Sequence, residues 1–296
     1  GAYNSNIADV SNKGWEITIG GDIVRGSNFK WNSSFNISFI KNNVDALNGG
    51  SVLGSGTSSG IVEGQPIGVI MGYEVLGIAQ TQAEITALNA AASGGKYYGN
   101  LNQPGDYIFK DVNGDGRINS SDIKPLGDIS PNYFGGWNNT MTYKNFNFSF
   151  NFQYSQGNKK EVDVASLYNI STPEANPTTL IYDTWSPENP DATYSRIGGP
   201  TESSPISRHV GDASYIRLRS ASLGFNFPSQ WLDKTQIANI RLSLSGNNLF
   251  TISNYIGVDP ESVFQAAGGR STSLNRDTSY AYPLAKSFTI GLNVTF

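Results

Sequence analysis

The chain has 296 residues, with 20 Lys and Arg against 24 Asp and Glu, a single histidine and no cysteine. A net charge of −4 without a basic stripe excludes nucleic acid as a partner. The lone His209 and the missing thiols exclude disulfides, cysteine nucleophiles and most zinc arrangements. Charged residues are only 15% and aromatics reach 12%, amid abundant Gly, Asn, Ser and Thr, a mixture that suits strands and turns. No apolar run reaches the roughly 18 residues that a transmembrane helix needs.

Taken in chain order, the first alternating segment is "WEITIGGDI", with Trp15, Ile17, Ile19 and Ile23 expected on one face and Glu16, Thr18 and Asp22 on the other. "RGSN", Arg25 to Asn28, reads as a short turn. "FKWNSSFNISF" then sets Phe29, Trp31, Phe35, Ile37 and Phe39 against Lys30, Asn32, Ser34, Asn36 and Ser38. A long connection from Lys41 to about Asn132 follows. Within it "TQAEITALNAAAS" carries a Thr81/Glu84 capping box, which predicts a short helix. "GGWNNTMTY", a junction at Lys144 and "NFNFSFNFQYS" form the next pair, the latter placing Phe146, Phe148, Phe150, Phe152 and Tyr154 on one side.

After a second long connection, Gly157 to Gly211, comes "SYIRLRSASLGFNF". Its apolar face changes from Ile216 and Leu218 to Leu223, Phe225 and Phe227, which predicts a bulge or an exit from the membrane. "NIRLSLSGNNLF", a third long connection from Ser253 to about Ala285, and "SFTIGLNVTF" complete the series. The clean segments run about ten residues, longer than an ordinary globular strand and matched to a tilted bilayer span. Apolar-out, polar-in alternation with short turns at one end and long loops at the other predicts an all-β fold, a transmembrane antiparallel β-barrel. Seven strands is an odd number where barrels of this class are even, so the seven are expected to belong to a larger barrel. A soluble β-sandwich with its phenylalanines inward is the competing architecture.

The long connection of about 42–132 also holds "DVNGDGRINSSD", Asp111 to Asp122. Its spacing is that of an EF-hand loop: Asp111 at position 1, Asn113 at 3, Asp115 at 5, Gly116 at 6, Arg117 at 7 through its carbonyl, Asn119 at 9 and Asp122 at 12. Calcium takes six to eight oxygens in flexible geometry, so calcium is the expected cofactor, in a structural role. The same run also satisfies Asx-turns that need no metal.

Several stretches, in order, resemble one family: "NIADVSNKGWEITI", "FKWNSSFNISFIKN", "IVEGQPIGVIMGYEVLGIAQT", "GDYIFKDVNGDGRINSSD", "NYFGGWNNTMTYKNFNFSFNFQYSQGN", "SYIRLRSASLGFNFP", "SGNNLFTISNYIGVDPE" and "GLNVTF". Together they resemble the C-terminal portion of SusC/RagA-type TonB-dependent outer-membrane transporters of Bacteroidetes. The resemblance implies the last strands of a 22-stranded barrel closed by a plug. The plug domain and TonB-contacting segment have no match among these residues. It also implies a place in the outer membrane of a Gram-negative bacterium, a SusD-like surface lipoprotein as partner, energy from TonB through the missing N-terminal part, outer-membrane lipid around the strands, and import of a large polar nutrient, oligosaccharide or peptide. Phe296, a terminal aromatic on an alternating strand, resembles the signal read by the barrel-assembly machinery. The competing function is a soluble calcium-stabilised β-protein that acts as a surface binding module or adhesin.

No enzymatic activity is expected. The carboxylate pairs Glu161/Asp163 and Asp106/Asp111 lack any supporting pattern for glycoside hydrolysis. Tyr97, Tyr98, Tyr107, Tyr168 and Trp185 could stack on sugars, but rim or loop packing is the expectation for them. Substrate-binding residues are not assigned by the sequence.

Overall fold

The structure is a computed structural model and describes residues 8–47, 52–53, 59–162, 178–200, 205–261, 264–265, 272–273, 276–277 and 283–296. Asp163 and Tyr168 fall outside these residues. Seven strands make one antiparallel sheet: β1 (Ala8–Arg25), β2 (Phe29–Leu47), β3 (Tyr133–Tyr143), β4 (Phe146–Gln156), β5 (Tyr215–Asn226), β6 (Asn239–Ile252) and β7 (Ser287–Thr295). Each pairs with the next in sequence, so the order across the sheet is a plain meander. β1 and β7 are its two edges.

The alternation read from the sequence sorts side chains onto two faces, and the registers align them strand by strand. On one face Phe35 lies opposite Trp137, Trp137 opposite Phe152, Phe148 opposite Leu223, Leu223 opposite Leu244, and Leu244 opposite Ile290. On the other, Ser149, Ser222, Ser245 and Thr289 form a polar row. Aromatic contacts knit the apolar face, with Phe146 and Phe225 4.7 Å apart and Trp137 stacked on Phe152 at 6.1 Å. That face is open, with Trp15 and Ile290 each 77% exposed, so the chain does not turn it inward as a sandwich would.

Two polar residues interrupt the apolar face. Ser33 and Asn139 oppose each other across β2 and β3, and each takes an indole N–H: Trp137 Nε1 donates to Ser33 Oγ and Trp31 Nε1 to Asn139 Oδ1, both at 2.9 Å. Each tryptophan thereby gives one polar neighbour on this face a partner, while the buried Asn139 Nδ2 has none.

Short turns join β1 to β2 and β3 to β4 at one end, the latter through Lys144 in the left-handed region at φ 51. The other end carries the long connections, 48–132, 157–214 and 253–286. β1 and β2 span 18 and 19 residues, well beyond the ten or so of their apolar stretch, because polar segments on both strands continue the pairing. Two further points correct the sequence reading. A register shift between Asp22 and Val24 makes Ile23 the extra residue of a bulge, so Val24 rather than Ile23 pairs beside Trp31. And Thr81 caps helix α1 (Gln82–Ala91) by accepting from the Glu84 amide, but the Glu84 carboxylate reaches back to the Gln80 amide instead of that of Thr81.

The change of face in β5 is a bulge. Leu218 and Ser220 both stay in register with β4 and β6 while Arg219 is left over, and Asn248 across from it adopts φ 52. The buried core lies outside the sheet. Short strands at Ser59–Ile61, Val69–Gly72, Val75–Ile78, Tyr107–Phe109 and Lys124–Gly127 and α1 fold into a lobe. Its centre is Tyr73, Ile78, Tyr107, Phe109, Ile118 and Ile206, beside a smaller group of Ala79, Ile85 and Leu101.

Candidate functional site

The oxygen-rich loop forms part of this lobe. Asp111 accepts from the Gly114 and Gly116 amides, each at 2.7 Å. Asn113 Oδ1 takes the Asp115 amide, Asp115 Oδ1 takes the Arg117 amide, and Asn119 Oδ1 takes the Ser121 amide. Asp122 is buried, with its oxygens on the amides of Val112 and Asn119. Gly116 has φ 81, a conformation that favours glycine and turns the chain sharply at the position the motif requires. The backbone amide of Arg117 and the side-chain amide of Asn113 hold the Asp115 carboxyl below its ordinary value. Among the described residues no group of three or more His, Cys, Asp or Glu side chains gathers as a metal centre. The loop is anchored by Ile118, whose amide donates to the Tyr97 carbonyl at 2.7 Å and whose side chain enters the core.

The lobe is completed by sequence-distant pieces. The Arg196 guanidinium meets the buried Asp106 carboxylate at 2.8 Å, and Asp106 also accepts the amides of Asn102 and Gln103. Trp185 Nε1 donates to Gln80 Oε1, the Ser195 amide donates to the Tyr107 hydroxyl, and Tyr73 and Ser207 pair through their backbones. Tyr97, Tyr98, Tyr107 and Trp185 therefore pack into or against the core. Asp106 is a structural carboxylate, engaged by Arg196 and backbone amides.

A site the sequence reading did not single out joins β5 to the connection after β6. Arg217, only 2% exposed, pairs with Asp259 and Glu261 at 2.7 Å each. The bulged Arg219 reaches Glu261 at 2.9 Å, Gln153 at 2.9 Å and Asn248 at 3.2 Å. Asp259 further accepts the Glu261 and Leu284 amides. Burial pushes the Asp259 carboxyl up, but the Glu261 amide and the Arg217 guanidinium outweigh it and hold it below its ordinary value. The signal was present as arginines in "YIRLR" and acids in "VDPE", but about forty residues separate them, and only the fold brings them together. Phe296 is exposed beside the end of β7.

No protein-family model matches the chain. It is 34% identical to TonB-dependent receptor P3 of Formosa agariphila across 98% of its length and 29% of that receptor. With TonB-dependent receptor SusC of Bacteroides thetaiotaomicron it shares 27% identity, across 98% of its length and 27% of that relative. Its fold superposes on the RagAB peptide transporter with a TM-score of 0.75 at 18% identity, covering 98% of this chain and 30% of that one. The chain thus spans less than a third of the length of each of these relatives. In sequence over nearly its whole length, and in its meander of membrane-type strands, the chain belongs to the SusC/RagA-type TonB-dependent receptors.

Proposed function

We propose that these strands form part of an outer-membrane barrel that imports a large polar nutrient, with TonB supplying energy to the complete receptor and a SusD-like lipoprotein closing over the lobe. The observation that carries this reading is the sheet itself. One face is apolar for a single bilayer span, the other is lined by Asn, Ser, Thr and Gln, and the turns alternate short and long. Open sheet edges are intolerable in hydrocarbon, so β1 and β7 require further strands to close the barrel. A lumen rich in hydroxyls and carboxamides, with Glu16, Asp22, Lys30 and Arg241 among them, suits a polar, hydrogen-bonding cargo such as an oligosaccharide or a peptide.

Exposed apolar residues on the water side, among them Ile67, Leu76, Val112 and Tyr182, favour a partner that covers the lobe. The calcium assignment for Asp111, Asn113, Asp115, Arg117, Asn119 and Asp122 belongs to the same proposal. Any cation there relies on the Asn113 and Asn119 amide oxygens and the Arg117 carbonyl as well as carboxylates, which suits a weak site of the roughly 10⁻⁴ to 10⁻³ M class found in extracellular modules. Phe296 is proposed as the residue read during barrel assembly.

The test is extraction of the intact receptor from outer membranes in detergent. It should fold only in detergent or lipid, co-purify with a lipoprotein, and take up cargo in a TonB-dependent manner. A protein carrying this chain that stays folded and monodisperse in plain buffer would overturn the reading.

A further inference from the structure

The apolar face of β2 runs through Phe29, Trp31, Phe35, Ile37 and Phe39, and the next residue on that face is Lys41. On β1 the same face runs upward through Ile19, Ile17 and Trp15 to Lys13. Trp15 lies opposite Phe39, and Lys13 lies directly opposite Lys41. The step from ring to ammonium thus occurs on both strands at one height, where about eleven residues have spanned the bilayer from the short turn. This is the end that carries the long connections.

Both lysines are exposed. Like charges directly opposite across a strand pair are destabilising. Among the described residues neither lysine has a carboxylate within 4.0 Å, and the acid that feels Lys13 is the exposed Asp45, further along β2. The lysines open onto a cleft of about 520 Å³ whose walls include Trp15, Phe39, Asp128 and Asn132. Asp128, which lines the cleft, has Oδ1 on the Ser130 amide at 2.8 Å.

We propose that this cleft binds the phosphorylated headgroup of an outer-leaflet lipid. The phosphate sits between the Lys13 and Lys41 ammonium groups, Asp128 accepts from a headgroup hydroxyl or amine, and the acyl chains lie over Trp15 and Phe39. An anion between the two cations removes their repulsion, and the aromatic floor receives the apolar part of the same molecule. The inference rests on the membrane-barrel reading and adds a ligand to it.

The test uses the intact receptor that carries this chain, reconstituted in vesicles of a zwitterionic lipid doped with bisphosphorylated lipid A or with the same lipid after phosphatase treatment. Retained lipid is counted by native mass spectrometry. The phosphorylated form should be retained selectively, and Lys13→Ala with Lys41→Ala should weaken retention on the order of 30-fold, since a lysine near an anionic surface contributes roughly fivefold. Lys30→Ala, at the opposite end of the span, should leave it unchanged, and Lys13→Arg with Lys41→Arg should restore it. Equal retention of the dephosphorylated lipid, an unaffected double alanine variant, or displacement by inorganic phosphate at the lipid's own concentration would each overturn the proposal. Insertion into the zwitterionic vesicles alone, read by protease protection, reports separately on the barrel.

Discussion

Gly135 is the position where a single methyl group would matter most on the apolar face. Tyr154 from β4 lies across it, stacks with Phe35 at 5.8 Å and donates its hydroxyl to the Asn36 carbonyl at 2.8 Å. A side chain at 135 would run into both the Asn36 carbonyl oxygen and the Tyr154 hydroxyl. Gly135→Ala should therefore cost about 1–3 kcal/mol, the usual range for overpacking, and lower the unfolding midpoint of the reconstituted barrel in urea. The aromatic here covers a bare strand segment, a device for holding register where no side chain can. Tyr154 was legible as part of an alternating strand, whereas its partner was not. Nothing in "YFGGW" says which of two glycines lies beneath a ring on the next strand.

At the scale of elements, the connection after β6 is held by charge. Arg217 is buried, so removing one of its partners strands part of that charge. Asp259→Ala should cost about 2–3 kcal/mol locally and make the segment from Ser253 to Glu261 susceptible to limited proteolysis while the strands stay protected. The same contact sets a pH response. Because the folded Asp259 carboxyl lies below its unfolded value, its contribution is fully present above roughly pH 4 and is lost as pH falls through the folded value. Proteolysis across a series from pH 6 to pH 3 should show this segment loosening at the acid end, and Asp259→Ala should abolish that dependence.

The oxygen-rich loop responds to a different variable. Asp111→Ala removes the acceptor for the Gly114 and Gly116 amides, which should loosen the loop by about 1 kcal/mol per lost bond without unfolding the strands. If calcium occupies the loop, a chelator should lower the melting temperature of the wild-type lobe and leave that of the variant unmoved.

These elements differ in how readily the sequence discloses them. Period two in "NFNFSFNFQYS" is dictated by a bilayer on one side and water on the other, so β4 can be read directly. The bulge in β5 was also visible, because Arg219 shifts the apolar positions from even to odd numbers. Ile23 was misplaced because a bulge near a turn leaves too few residues beyond it to reveal the new phase. Strands of four residues or fewer in the lobe carry no period at all. The Arg217 network depends on contacts between distant segments, which no local pattern encodes.

For the whole molecule, the two faces of the sheet meet different solvents, and substitutions should respond accordingly. Phe150 is near the middle of β4 on the apolar face, and Asn151 beside it points to the polar face. Phe150→Arg should destabilise the inserted barrel by about 2–4 kcal/mol, measured by reversible unfolding into vesicles, whereas Asn151→Arg should change stability little and alter conductance or cargo preference instead. Equal penalties at the two positions would mean that the faces are not distinguished by their surroundings.

The lobe's core combines Tyr73, Tyr107 and Phe109 from one connection with Ile206 from the next, and Trp185 and Arg196 lock the two together. Between those contributions the chain runs through the whole β3–β4 hairpin. Closing the core therefore brings together segments that the whole hairpin separates in sequence, so the lobe is held by long-range contacts. A receptor in which these two connections have not met leaves Tyr73, Tyr107, Phe109 and Ile206 open to water, so the burial of one small cluster reports on the completeness of a much longer stretch of chain.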